Sequence, residues 1–99
     1  MTEDQQWHCD RLVFSGHAVQ QMFYRRISRD DVRSAITYGE IVEEYSDDQP
    51  YPCCLILDYV EGNPLHVVFS HDSTTHTCYV VTAYIPDLRI WLDDFKTRR

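Results

Sequence analysis

The stretch H-A-V-Q-Q-M-F-Y-R-R-I-S-R-D-D-V-R-S-A-I-T-Y-G-E-I-V-E-E-Y, running from His17 to Tyr45, decides the fold. It reads as two short helices followed by an acidic strand. Ser15 is placed to cap a first helix over Gly16–Arg25, with Ala18, Val19, Met22 and Phe23 as its apolar face. Ser28 is a second N-cap, with Asp30 and Asp31 in the first turn, where negative charge meets the positive end of the helix dipole. Val32, Ala35 and Ile36 recur at helical spacing as the core face, and Gly39 stands where a C′ residue is expected. From Glu40 the pattern switches to strands, and Glu40–Tyr45 reads as the first of them.

Working outward, residues 1–10 are polar and ragged, and Leu12-Val13-Phe14 suggests a brief edge strand. Beyond Tyr45, Ser46–Pro52 is a polar loop, Cys54–Val60 a strand, Glu61-Gly62-Asn63-Pro64 a hairpin turn and Leu65–His71 the next strand. Asp72–His76 turns the chain again and Thr77–Ile85 is the last strand. Asp87 is placed to cap a final helix with Leu88, Trp91, Leu92 and Phe95 at helical spacing. The expected architecture is one α+β domain over residues 1–99: two N-terminal helices packed on a four-stranded antiparallel sheet, with a C-terminal helix. Closing the Asp72–Thr75 turn tightly pairs His71 with His76, Phe69 with Cys78 and Leu65 with Thr82. A slip of one residue would reverse which of His66 and Thr82 faces the helices.

Composition narrows the function classes. Ninety-nine residues carry a net charge of −7, but unevenly. Residues 1–39 hold five Arg against five acids, and residues 40–99 hold four basic groups against eleven acids. A surface that coats nucleic acid needs a broad positive footprint, so DNA is not an expected partner. Arg25-Arg26-Ile27-Ser28-Arg29 between two helices permits a helix-turn-helix, but the acidity of the chain argues against it. No apolar run approaches the ~20 residues of a membrane span, and M-T-E-D-Q-Q is too acidic to open a secretory signal. Cys9, Cys53, Cys54 and Cys78 show no C-x-x-C spacing and are expected as reduced, half-buried thiols. A cytoplasmic protein without a cofactor follows as the expectation.

His17, Gln21 and Arg25 recur every fourth residue and so line one stripe of the first helix. Histidine, with an ordinary pKa of about 6.5, suits acid or base work at neutral pH, or it simply settles a helix start. Cleaving RNA without a metal needs a base, an acid and cations for the charged transition state. His17 answers to the first roles and Arg25, with Arg26, to the last. Arg25 has an equally ordinary fate in an ion pair with Asp30, Asp31 or the acidic strand. Arg29 and Arg33, four apart, form a solvated face or a docking surface for an acidic partner segment. Thr82 and Tyr84 are candidate phosphate-positioning donors, with hydrogen bonding at the sheet's end as the plain alternative. His71, His76 and Cys78 cluster at one hairpin tip in the expected register, where exposed histidines are the ordinary reading and a zinc or nickel site is the lesser alternative.

The order H-A-x6-R-x-I-S-x3-V-x6-G-E-I-V-E-E-Y, P-Y-P-x2-L, P-L-H-V-V and V-V-T-A-Y-I-P-D, then Trp91 and Phe95, resembles the bacterial domain-of-unknown-function family numbered 4258. The resemblance covers about residues 14–99. It implies a helix-helix-sheet fold similar to RelE/ParE-type toxins and an antitoxin-like protein partner. The chain departs from the pattern at Gln21, where many members have Arg, and at Arg26, where many have Gly. If an Arg at position 21 contacts phosphate, Gln21 weakens that contact here.

Two functions stand open on these residues. One is the toxin of a toxin–antitoxin pair, a RelE-like endoribonuclease if catalytic, with His17, Arg25, Arg26, Thr82 and Tyr84 as its site. The other is a non-catalytic protein-interaction module on the same fold, binding through the acidic sheet or the Arg face. Convergence of His17, Arg25 and Thr82 or Tyr84 on one concave site decides between them.

Overall fold

The structure, a computed structural model, describes residues 7–45 and 52–99. The expected Ser46–Pro52 loop lies almost wholly outside them. In chain order the elements are β1 (Arg11–Phe14), α1 (Gly16–Arg25), α2 (Arg29–Tyr38), β2 (Glu40–Tyr45), β3 (Cys53–Val60), β4 (Asn63–Asp72) and β5 (Thr77–Tyr84).

Both helices start on the serines their sequence marks. The Ser15 hydroxyl accepts from the Ala18 N–H at 3.0 Å and donates to the Val81 carbonyl at 2.8 Å, tying the start of α1 to β5. Ser28 and Asp31 form a reciprocal capping box at 3.0 and 3.1 Å. Arg26 adopts the left-handed conformation (φ 58°) to close α1, and its N–H returns to the Met22 and Phe23 carbonyls. Gly39 serves differently from the expected left-handed cap. Its backbone is extended, and a Cβ there would press on the Ala35 and Leu57 carbonyl oxygens, so glycine lets α2 meet β3 closely.

The sheet is five-stranded and mixed, in the order β1-β5-β4-β3-β2, and this corrects the four-stranded antiparallel expectation. β2 to β5 form the antiparallel meander, but the Leu12–Phe14 segment joins it as a full edge strand, parallel to β5. A parallel neighbour needs a long crossover, and the two helices between β1 and β2 with the returning meander supply it.

The second correction is the C-terminus, where no helix forms. Asp87 accepts the Arg89 N–H, and a single turn follows, with the Ile90 and Trp91 N–H groups on the Asp87 carbonyl. Asp94 then captures the Lys96 and Thr97 N–H groups, Phe95 goes left-handed (φ 57°), and Trp91 pairs back with Arg98. Aspartate side chains that bond nearby backbone compete with the helix ladder, and two of them do so here. The Leu88–Trp91–Leu92–Phe95 spacing is therefore not used as a helical face: Trp91 is 2% exposed while Leu88 and Leu92 remain in solvent.

The core lies between the helices and one sheet face. Ala18, Met22, Val32, Ala35 and Ile36 meet Ile56, Val67, Phe69, Val80 and Ala83. α1 rests over β5 and α2 over β3 and β4. Of the expected apolar face of α1, only Ala18 and Met22 reach this core, and Val19 and Phe23 stand in solvent. The opposite sheet face carries Leu55, Leu57 and His66 and is covered by the tail through Trp91.

Cys9 and Cys78 form a disulfide across 69 residues, fixing the chain before β1 to β5. Both were expected as free thiols; the strand pairing of Leu12 with Cys78 brings the two sulfurs together, and nothing in their sequence spacing signals it. The crosslink removes the support that the cysteine pattern lent to a reducing compartment. Among the described residues no helix is long and apolar enough to cross a membrane.

Candidate functional site

Two β-bulges decide which polar groups share the tail-covered face. In β2 the register shifts between Ile41 and Glu43, so Ile41 points to the helices while Glu43 and Tyr45 turn to the tail. In β5 it shifts opposite Val68/Phe69, so Val80 and Ala83 both reach the helix-side core and Thr82 and Tyr84 face the tail. The true β4–β5 register pairs His71 with Cys78, two residues from the expected alignment, and beyond the bulge His66 with Tyr84, three residues from it.

The result is a cluster of Glu43 and Tyr45 from β2, His66 from β4, Tyr84 from β5 and Arg98 from the tail. His66 is fully buried, with its ring edge-on to Trp91 at 4.7 Å and to Tyr84 at 5.2 Å. Its Nε2 lies 2.8 Å from the Phe95 carbonyl, which can only accept, so Nε2 carries the proton. Nδ1 of the neutral ring is then the acceptor for the Tyr84 hydroxyl at 3.2 Å. Arg98 donates to Glu43 at 3.2 and 3.3 Å and lies over the Trp91 ring at 4.4 Å, and the Tyr45 hydroxyl donates to Glu43 as well.

The electrostatics hold each group in one protonation state. The Arg98 hydrogen bond, then that of Tyr45, lowers the Glu43 pKa, so it stays ionised. Burial first, then the bond to Glu43, pushes Tyr45 up to about 12, and burial likewise raises Tyr84. Burial lowers His66 against the opposing pull of its Phe95 bond, which keeps the ring neutral. An acid–base catalyst wants a pKa near the working pH and a free face toward substrate. Here the shifts run away from neutrality and both ring nitrogens are occupied. The arrangement is a satisfied polar latch that fastens the tail to the sheet.

The residues singled out by sequence spacing fall on two sides of the sheet. His17 is exposed in the first turn of α1. Arg25 and Arg26, at its far end, line a cleft of about 340 Å³ with Asp31, Glu61, Asn63 and Ile85. Thr82 and Tyr84 face the tail, so the structure does not bring His17 and Arg25 together with either of them. Of the hairpin-tip trio, the Cys78 sulfur is taken by Cys9, and His71 Nε2 donates to the His8 carbonyl at 3.0 Å. Spacing missed His66, Glu43 and Arg98, and only strand pairing together with the docking of the tail joins them.

What the helix side presents instead is an apolar surface. Phe23 is 81% exposed, Tyr24 74% and Val19 54%, with the Phe23 and Tyr24 rings edge-to-face at 6.1 Å. Val19 and Phe23 are one turn apart, and Met22, Phe23, Tyr24, Arg26 and Ile27 line a shallow depression beside them. Among the described residues, α1 is a ten-residue helix at the flank of the sheet with a second apolar side and no further layer over it.

Searches of curated proteins and of solved structures each returned no match. A family model matches residues 14–85, which takes in both helices, the meander, His66 and Tyr84 and stops short of the tail that covers them. The chain belongs to the family described as a domain of unknown function (DUF4258).

Proposed function

We propose that this chain works by binding a protein partner, as one member of a toxin–antitoxin-like pair, and that the outer face of α1 carries the contact. The observation behind this reading is the exposure of Phe23 and Tyr24 on one helix beside Arg25 and Arg26. Aromatic and arginine side chains dominate binding hot spots, and two large rings held in water are costly unless something covers them. The flanking guanidiniums favour a partner segment that offers apolar groups together with carboxylates. The pair itself rests on the expectation, implied by the resemblance to the family, of a fold similar to RelE/ParE-type toxins.

A second reading, metal-independent RNA cleavage, has one observation in its favour. Glu43, Tyr45 and Arg98 meet at a partly open edge of the tail-covered face, where a carboxylate and a guanidinium lie side by side. It would require Arg98 to exchange Glu43 for a phosphate.

The test is co-expression with the neighbouring gene product, followed by calorimetric titration of the purified pair. Phe23→Ser with Tyr24→Ser should weaken the complex by about tenfold or more, which corresponds to roughly 1.4 kcal/mol, and leave the melting temperature in place. Unaltered affinity in the double variant sinks the α1 reading. RNA cleavage in chelator, lost in Arg98→Ala, would put the second reading ahead.

A further inference from the structure

β1 is an edge strand, and no strand lies beyond it among the described residues. The N–H groups of Arg11 and Ser15 point inward, to the carbonyls of His76, just before β5, and of Val80 in β5. In a parallel ladder alternate residues face the neighbour, so Leu12 and Phe14 turn their N–H and C=O groups to the open edge. That edge borders a groove of about 540 Å³ lined by Leu12, Ser28, Arg29, Asp30 and Arg33. Two guanidiniums bracket the strand. Arg33 donates to the Cys9 carbonyl at 3.1 Å just before β1, and Arg29 sits 5.4 Å over the Phe14 ring at its end.

We infer that this groove receives an extended acidic segment of a protein partner, added as a sixth strand along β1. The spacing supports this mode. Arg29 and Arg33 are one helical turn apart, about 6 Å of rise, and side chains two residues apart on a strand are separated by about 6.7 Å. Carboxylates at alternate positions of the incoming strand therefore meet both guanidiniums, while its backbone pairs with Leu12 and Phe14. Asp30, on the same wall, is a carboxylate such a segment must avoid. A second copy of this chain is a poor occupant. Its other edge among the described residues, β2, is acidic, but Glu40 and Glu43 there are already paired with Lys96 and Arg98. The inference rests on the reading that the chain binds a protein, and it names the chemistry of the segment.

The probe is a capped peptide alternating glutamate and threonine, titrated into the full-length oxidised protein and followed by amide NMR and hydrogen exchange. The expected result is saturable binding in which the Leu12 and Phe14 amides shift and exchange more slowly. Arg29→Glu with Arg33→Glu, both at exposed positions, should weaken it by roughly tenfold or more. A lysine–threonine peptide should not bind. The inference is overturned by no binding, by binding that leaves the Leu12 and Phe14 amides unchanged, by indifference to the charge reversal, or by self-association through β1. If partner affinity falls in the α1 double variant while the peptide leaves β1 untouched, the α1 reading stands and the sixth strand is rejected.

Discussion

His66 and Tyr84 are direct partners across β4 and β5, with the tyrosine hydroxyl 3.2 Å from Nδ1 of an imidazole that no water reaches. The same ring donates to the Phe95 carbonyl, so one buried histidine joins two strands to the tail. Removing either end of this relay leaves a buried group without its partner. Tyr84→Phe should cost about 1–3 kcal/mol, read as a lower denaturant midpoint with unaltered slope. A loss below about 0.3 kcal/mol would mean that the hydroxyl does not serve Nδ1.

The latch also predicts how stability follows pH. His66 is held below its ordinary 6.5 chiefly by burial, and Glu43 below its ordinary 4.5 chiefly by Arg98. In both cases the unfolded chain binds protons more readily than the folded one, so both contributions are complete above the unfolded pKa. Stability should fall as pH drops below about 6.5 and again below about 4.5, as each group is driven toward its folded pKa. Melting temperature against pH reads this directly, and His66→Gln should remove the upper step alone. A flat profile between pH 7 and 5 contradicts the neutral, buried imidazole.

Trp91 carries the apolar part of the tail's attachment. It packs against His66 and beneath the Arg98 guanidinium, and Trp91→Ala should cost about 3–5 kcal/mol. Limited proteolysis should then cut within residues 86–99 before it cuts the meander. Cleavage spread evenly over the chain would show that the tail and sheet unfold as one unit.

The disulfide gives a further measurable quantity. Closing 69 residues in the unfolded chain is worth about 4 kcal/mol on the chain-entropy account. Cys9→Ser or added reductant should therefore lower stability substantially and loosen β1, seen as faster amide exchange at Val13. Cys54 should contribute nothing to redox behaviour, since burial pushes its thiol up to about 12.

Local signals were legible in the sequence. The caps at Ser15 and Ser28, the helix spans they open and the four strands of the meander all rest on interactions within a few residues, and the structure keeps them. The tail misled because Trp91, Leu92 and Phe95 have helical spacing, while the decisive contacts are Asp87 and Asp94 side chains bonding their own turns. The candidate chemistry was less legible. A bulge shifts every later side chain to the other face, and the bulges near Val42 and Val81 leave no periodic mark.

The two helices, the hairpin order, the acidic half and the membership of residues 14–85 in their family follow from local pattern or motif order in the chain. That β1 joins β5 in parallel, that Cys9 reaches Cys78, that His66 faces Tyr84 and that Phe23 is left in water emerge only in the folded chain. Those outcomes depend on strand register and on which flank of α1 a small sheet can cover. Both are settled by packing between segments far apart in the chain, where local periodicity has no reach.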